Sequence, residues 1–170
     1  AKRFDVFSYD RFGLGWSDEV KSASRDAEAT ADRLQRLLST AQVTGPVILV
    51  GHSIASFYLR VFADKYPEQV RGLVLLDPCH PRQAEVLPTN GLSLWYKLCK
   101  RIMILYTQIG LANIVIPRWE LRTNSMHFLP IETKHELLKQ LCCAKSYATF
   151  FLEINAFNIC AGQAALVKDL

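Results

Sequence analysis

The spacing of apolar residues changes character along the chain. Residues 4–9 form a strand-like run, and the apolar runs at residues 47–50 and 70–76 are typical of strands buried in a sheet. Between these runs, apolar residues recur at helical spacing over residues 24–42 and 54–66. Because apolar strands that alternate with helices pair in parallel through right-handed crossovers, the pattern predicts an α/β sheet.

The second half of the chain follows a different pattern. Its periodicity is helical in three stretches, residues 92–110, 132–144 and 147–165. Pro117 and Pro130 interrupt this periodicity, and no strand pattern follows residue 81. We therefore predict the α/β class, with three parallel strands and their crossover helices in residues 1–85. Residues 86–170 are predicted to form an α-helical, cap-like region of the same domain.

Ser53 stands where the predicted strand 47–50 turns sharply into a helix, within Gly51-His52-Ser53-Ile54-Ala55. At such a turn the backbone N–H groups of the new helix point at whatever approaches the serine. A nucleophile that must stabilise an oxyanion needs that arrangement. An ordinary serine N-cap, with Gly51 making the turn, explains the same residues. These five residues alone leave both interpretations open.

Composition narrows the class of protein. The length of 170 residues fits one domain, and the net charge of +4 is too small and scattered to indicate nucleic-acid binding. The five cysteines are odd in number and show neither a CxxC motif nor a Cys/His metal spacing. We therefore predict reduced thiols, no metal site and a cytoplasmic location.

Two further stretches do not support a cofactor or a membrane span. Gly13-Leu14-Gly15 fails as a dinucleotide motif, because Asp18 stands where its third glycine would fall and no helix opens there. Residues 92–116 are apolar, but three cations interrupt them, so we predict no transmembrane segment. No cofactor is predicted either.

Three blocks, in this order and at these separations, resemble the serine type of α/β-hydrolase. They would lie at its fourth, fifth and sixth strands. The blocks are Tyr9-Asp10-Arg11-Phe12-Gly13-Leu14-Gly15-Trp16-Ser17-Asp18, Val50-Gly51-His52-Ser53 and Leu73-Val74-Leu75-Leu76-Asp77-Pro78.

The resemblance implies Ser53 as the nucleophile and the backbone N–H of Ile54 as one oxyanion donor. The substrate it implies is a small molecule with an ester or similar acyl bond. Ala55 departs from the family pattern, because it stands where the family usually has a second glycine. A serine at position 53 separates the chain from relatives with an aspartate nucleophile, so we discount dehalogenase and epoxide hydrolase chemistry.

The resemblance also implies that the catalytic base, the acid and the second oxyanion donor lie outside residues 1–170. We therefore expect this chain to be the middle of a hydrolase domain, inactive as given. Within the chain, the candidate pair is His80 with Asp77, both at the carboxyl end of the predicted third strand. His52 is discounted as a base because adjacent residues at a strand end point apart, and His127 and His135, in the helical half, are expected to be surface residues.

A second hypothesis comes from a different functional class. The chain is then a non-catalytic protein with the same fold that uses its helical region for binding. The apolar, cation-bearing residues 92–116 would pack on a protein partner or on a membrane surface.

Overall fold

The computed structural model describes residues 4–20, 22–83 and 94–167. Two strands and six helices are assigned within these residues. In chain order they are α1 (Ala27–Thr40), β1 (Val47–His52), α2 (Ala55–Lys65), β2 (Val70–Leu76), α3 (Leu94–Gln108), α4 (Ala112–Thr123), α5 (Ile131–Leu141) and α6 (Ala144–Ala165). A short 3₁₀ turn, Pro67–Gln69, connects α2 to β2.

The sheet contains β1 and β2 in parallel, with α2 as the crossover between them. Val47 pairs with Val70 at one end of the ladder, and His52 pairs with Leu76 at the other. This confirms the prediction of a parallel sheet built with helices. The first element after β1 is a helix, as the change of period at Ile54 indicates.

The prediction of a third strand at residues 4–9 is wrong for the structure described. These residues take no strand assignment, and Phe4 and Val6 are 78% and 89% exposed. An extended segment becomes a strand only when a neighbour pairs its N–H and C=O groups, and no described strand pairs with residues 4–9. An apolar run by itself does not supply that neighbour.

The prediction that β1 and β2 are buried strands is also wrong for one face of the sheet. Their burial alternates, and one face of the sheet leaves its apolar side chains exposed. That exposed face consists of Ile48, Val50, Val74 and Leu76. Only the other face, which includes Leu49 and Gly51, is covered within the described residues.

The chain packs into two compact units. The sheet unit comprises the described residues of Ala23–Gly91 and Leu152–Leu170, and the helical unit those of Ala1–Ser22 and Leu92–Phe151. Helix α6 contributes its first part to the helical unit and its second part to the sheet unit. The division predicted between residues 1–85 and 86–170 stays a prediction.

The core of the sheet unit joins α1, α2 and the end of α6. Its buried side chains include Ala27, Ala31, Leu34, Leu38, Phe57, Phe62, Cys160, Ala161 and Ala164. The ring of Phe157 on α6 meets Phe57 edge-on, with centroids 5.3 Å apart. Gln163 Oε1 also accepts a hydrogen bond of 2.8 Å from Ala27 N–H, at the start of α1. The second part of α6 therefore belongs to this core and satisfies an open N–H group at the start of α1.

In the helical unit, the loop between Asp10 and Asp18 is held by its own side chains and by α6. Asp10 Oδ2 accepts a hydrogen bond from Trp16 N–H at 3.0 Å. Lys145 Nζ donates to the backbone oxygens of Gly15 and Ser17, at 3.1 and 2.8 Å. Gly13 has φ of 80°, and a β-carbon there would lie 2.1 Å from Thr149 Oγ1. Only glycine therefore fits at this position.

A buried carboxylate fastens the loop between α4 and α5. Glu120 is 1% exposed and pairs with Lys134 Nζ at 2.8 Å. It also accepts hydrogen bonds from Ser125 Oγ at 2.5 Å and from Met126 N–H at 3.0 Å. Lys134 first, and then Ser125, hold the pKa of Glu120 at about 2, below its ordinary 4.5.

Candidate active site

Ser53 has an unusual backbone conformation. Its φ is 55°, in the left-handed region that residues with a β-carbon rarely adopt. It lies directly after β1, and Ile54 is the N-cap residue of α2. A single left-handed residue between a strand and a helix reverses the chain sharply, which is how a nucleophile elbow is built. Backbone strain of this kind is concentrated at functional sites.

Gly51 allows the strand and the helix to approach each other closely at this turn. A β-carbon at position 51 would lie 2.6 Å from Leu59 Cδ1 and 3.2 Å from Ala55 Cβ. The methyl group of Ala55 thus occupies space that Gly51 leaves empty. This explains how alanine is accommodated where the family pattern usually has a second glycine.

Backbone hydrogen bonds tie the turn at Ser53 to the end of β2. Ser53 N–H donates to Leu76 O at 3.2 Å, and Cys79 N–H donates to Ser53 O at 3.3 Å. The buried hydroxyl of Ser56 donates to Cys79 O at 3.0 Å. Asp77, with φ of 42°, turns the chain back so that these bonds form. The segment after β2 is thereby fixed beside Ser53.

The Ser53 side chain is half-buried and does not cap α2. Its Oγ lies 3.6 Å from Cys79 Sγ, a contact in which either atom can be the donor. Cys79 was not predicted as a site residue from the sequence. The sequence feature that could have indicated Cys79 is Asp77-Pro78, because a turn there directs the next residue back towards Ser53.

The backbone N–H of Ile54 has no hydrogen-bond acceptor among the described residues. Ala55 N–H likewise has no acceptor among the described residues, whereas Ser56 N–H donates to Ser53 O and Phe57 N–H donates to Ile54 O. A free N–H directly after the serine is the group that an oxyanion hole requires at this position.

The histidines do not complete the site within the described residues. His80 is exposed, and its Nδ1 accepts a hydrogen bond from Arg82 N–H at 3.1 Å. Asp77 is exposed as well, and no hydrogen bond joins either residue to Ser53 in the part of the chain that the structure describes. His52 is exposed on β1, whereas His127 and His135 belong to the helical unit.

The surroundings of the site offer no metal ligands. In residues 4–20, 22–83 and 94–167, no three His, Cys, Asp or Glu side chains group to hold a metal ion. A cavity lined by Leu38, Val43, Val47 and Gln69 lies at the opposite end of the strands from Ser53.

Comparison with known proteins places this geometry in context. The profile of the family described as alpha/beta hydrolase fold matches residues 1–97. An uncharacterised protein of Schizosaccharomyces pombe is 41% identical over 72 residues, which cover 42% of this chain and 13% of that protein. A (lyso)-N-acylphosphatidylethanolamine lipase of Mus musculus is 33% identical over 81 residues, which cover 46% of this chain and 23% of the lipase.

Among solved structures, the fold resembles that of Cfl2 from Burkholderia cenocepacia. The TM-score is 0.55 at 18% identity, and the match covers 92% of this chain and 54% of Cfl2. The chain thus spans well under two thirds of the length of the relatives it matches.

Proposed function

This chain belongs to the alpha/beta hydrolase fold family, and from that premise we propose that Ser53 is the nucleophile of a serine hydrolase. The bond cleaved is an ester or a similar acyl bond. One observation carries the proposal: Ser53 has φ of 55° at the strand-to-helix turn, and the N–H of Ile54 that follows it has no acceptor within the described part of the chain. An N-capping serine has extended rather than left-handed backbone angles and bonds to the helix through its side chain. Ser53 does neither.

The proposed reaction has two stages. Ser53 Oγ attacks the carbonyl carbon, the negative charge gathers on the carbonyl oxygen, and Ile54 N–H donates a hydrogen bond to that oxygen. The Oγ proton passes to a base and then to the leaving alcohol as the ester bond breaks. Water next attacks the acyl-serine, which releases the carboxylic acid and restores the Ser53 hydroxyl.

The substrate class is a small acyl compound. One relative is named as a lipase of (lyso)-N-acylphosphatidylethanolamine, whose name describes an acylated lipid. This supports a lipid-like acyl ester as the substrate, although the chain covers only 23% of that lipase.

We further propose that residues 1–170 alone turn over slowly. A serine hydroxyl is a weak nucleophile until a positioned base removes its proton. No histidine hydrogen-bonds to Ser53 among the described residues, which include all four histidines of the chain. In a serine protease that lost its catalytic histidine, the remaining rate was still about 10³–10⁴-fold above that of the uncatalysed reaction in water.

An assay with added imidazole tests this proposal. Residues 1–170 are incubated with a short p-nitrophenyl ester, with and without imidazole as an external base. We expect slow p-nitrophenolate release without imidazole. We also expect an imidazole-dependent increase above the rate that imidazole produces without protein. Ser53→Ala should abolish this increase, and His80→Ala should leave it unchanged.

Two results would overturn the proposal in different ways. Equal imidazole-dependent rates for the native chain and Ser53→Ala would exclude Ser53 as the nucleophile. Saturable turnover without imidazole, lost in both Ser53→Ala and His80→Ala, would instead identify His80 as the base and refute slow turnover. Ser39→Ala, at an exposed serine of α1, serves as the matched control.

A further inference from the structure

An apolar stripe runs along the exposed side of α3. Leu98, Ile102 and Leu105, with Ile109 directly after the helix, recur at helical spacing and are between 46% and 65% exposed. Lys97 and Arg101 lie on the same side of the helix and are exposed as well. Aliphatic side chains of this size are normally buried, so an aligned row of them on the surface indicates a binding face.

Helix α4 and the residue before it present a similar side. Leu111, Ile114, Val115 and Trp119 are between 42% and 53% exposed, and Arg118 and Arg122 are exposed among them. We call these residues, together with the α3 stripe and its two cations, the α3–α4 face.

The opposite sides of both helices are already occupied. On α3, the Tyr96 ring meets Phe151 edge-on at 5.6 Å. Lys100 Nζ lies 5.7 Å from the centre of the same Phe151 ring. At the start of α4, Cys142 Sγ donates to Ala112 O at 3.4 Å. The inner sides of α3 and α4 therefore already have contacts within the helical unit, and the α3–α4 face is a separate, exposed side.

The charge of this region has one sign. Residues 94–123 contain five cations, Lys97, Lys100, Arg101, Arg118 and Arg122, but a single carboxylate, Glu120. Glu120 is buried and paired with Lys134, so it does not neutralise the face. Helix α5, in contrast, mixes Glu132 and Glu136 with its lysines.

We propose that the α3–α4 face adsorbs onto the surface of an anionic lipid bilayer. Helices that lie in a membrane interface combine an apolar side with Lys and Arg, whose long side chains reach the lipid headgroups. Among the described helices no single one has the length and apolar composition of a span. The pair Tyr96–Gln108 and Ala112–Thr123 has them together, but it is bent by 93°. The cations therefore favour adsorption over crossing.

Charge also argues against a second copy of the chain as the occupant. A two-fold contact through this face would bring cations opposite cations, with no exposed carboxylate in residues 94–123 to compensate. An anionic bilayer satisfies the apolar side chains and the cations at once.

Vesicle sedimentation of residues 1–170 tests the proposal. We expect binding to vesicles of phosphatidylcholine with phosphatidylserine, and much weaker binding to vesicles of phosphatidylcholine alone. Lys97→Gln combined with Arg101→Gln should weaken binding about 25-fold, since each cation at an anionic surface contributes about fivefold. Ile102→Gln combined with Leu105→Gln should weaken it about 100-fold, since burying each side chain contributes about tenfold.

Matched variants in the sheet unit test whether vesicle binding is specific to the α3–α4 face. Arg71→Gln and Leu166→Gln replace an exposed cation and an exposed aliphatic residue of the sheet unit, and should bind as the native chain does. Because all replaced residues are exposed, circular dichroism should show unchanged helix content. Ser53→Ala should bind vesicles as the native chain does. A failure of the proposed hydrolysis would therefore leave the proposed membrane binding intact, and the reverse also holds.

Three results would overturn the proposal. The first is no binding to the mixed vesicles. The second is binding that the four substitutions on the face leave unchanged. The third is self-association without lipid, detected by light scattering, that Ile102→Gln with Leu105→Gln abolishes, because it would make a second copy the occupant.

Discussion

Ser53 holds a left-handed backbone conformation that costs a residue with a β-carbon about 1–2 kcal/mol. The hydrogen bonds from Ser53 N–H to Leu76 O and from Cys79 N–H to Ser53 O offset that cost, at about 1 kcal/mol each. Serine is not needed for this backbone, since glycine would adopt it without strain. The stability of this backbone therefore does not account for serine at position 53.

Substitution of Gly51 should destabilise the elbow. In Gly51→Ala the new β-carbon would lie 2.6 Å from Leu59 Cδ1 and 3.2 Å from Ala55 Cβ, so both neighbours must shift. Overpacking of this kind costs about 1–3 kcal/mol in the free energy of unfolding. Urea unfolding followed by circular dichroism measures the change.

Gly72 supplies the matched control for that experiment, because it lies in β2 and a β-carbon there would meet nothing within 4 Å. Gly72→Ala should change stability much less than Gly51→Ala. Equal losses in both variants would contradict close packing between β1 and α2.

At the scale of helices and strands, prediction from sequence succeeded where a buried stripe fixed the element. The strand predicted at residues 70–76 matches β2, and the helix predicted at 54–66 matches α2 to within one residue at each end. It failed for α4, because Pro117 was interpreted as an interruption. The structure retains Pro117 inside that helix, although proline lacks a backbone N–H donor and crowds the carbonyl four residues before it.

The failure at residues 4–9 has a different physical cause. A helix satisfies its own backbone groups, whereas a strand depends on a neighbouring strand that local sequence does not specify. The Glu120–Lys134 pair was missed for a similar reason, because its partners come from α4, the following loop and α5. No spacing rule joins those three segments.

The Glu120 pair should make the α4–α5 connection sensitive to acid. The pKa of Glu120 is lowered from 4.5 to about 2 in the folded protein. Its contribution to stability is therefore complete above pH 4.5 and is lost as the pH falls towards about 2. We expect the melting temperature of the native chain to fall across this range.

Glu120→Gln should melt at a lower temperature at neutral pH and should lose part of the acid dependence. Glu132→Gln, at an exposed carboxylate of α5, is the matched control and should behave as the native chain does. Parallel pH profiles for the native chain and Glu120→Gln, measured by thermal unfolding, would contradict a stabilising Glu120.

At the scale of the whole molecule, the sequence motifs identified the family, and the family profile confirms it over residues 1–97. Local patterns did not reveal how the chain divides in space. The end of α6 packs with α1 and α2 because Phe157 and Gln163 contact residues far away in sequence, and periodicity carries no such information. The same limit applies to Cys79, whose place beside Ser53 follows from turns after β2.

The most direct test of Ser53 as the nucleophile is to find where a reactive ester acylates the folded chain. With p-nitrophenyl acetate and imidazole, peptide mass spectrometry of Cys79→Ala should find acetyl-Ser53. The substitution removes the neighbouring thiol as a competitor. We expect Ser53 to be acetylated about 10²-fold faster than exposed Ser39, since one oxyanion donor contributes about that factor. Equal acetylation of Ser53 and Ser39 would contradict the account.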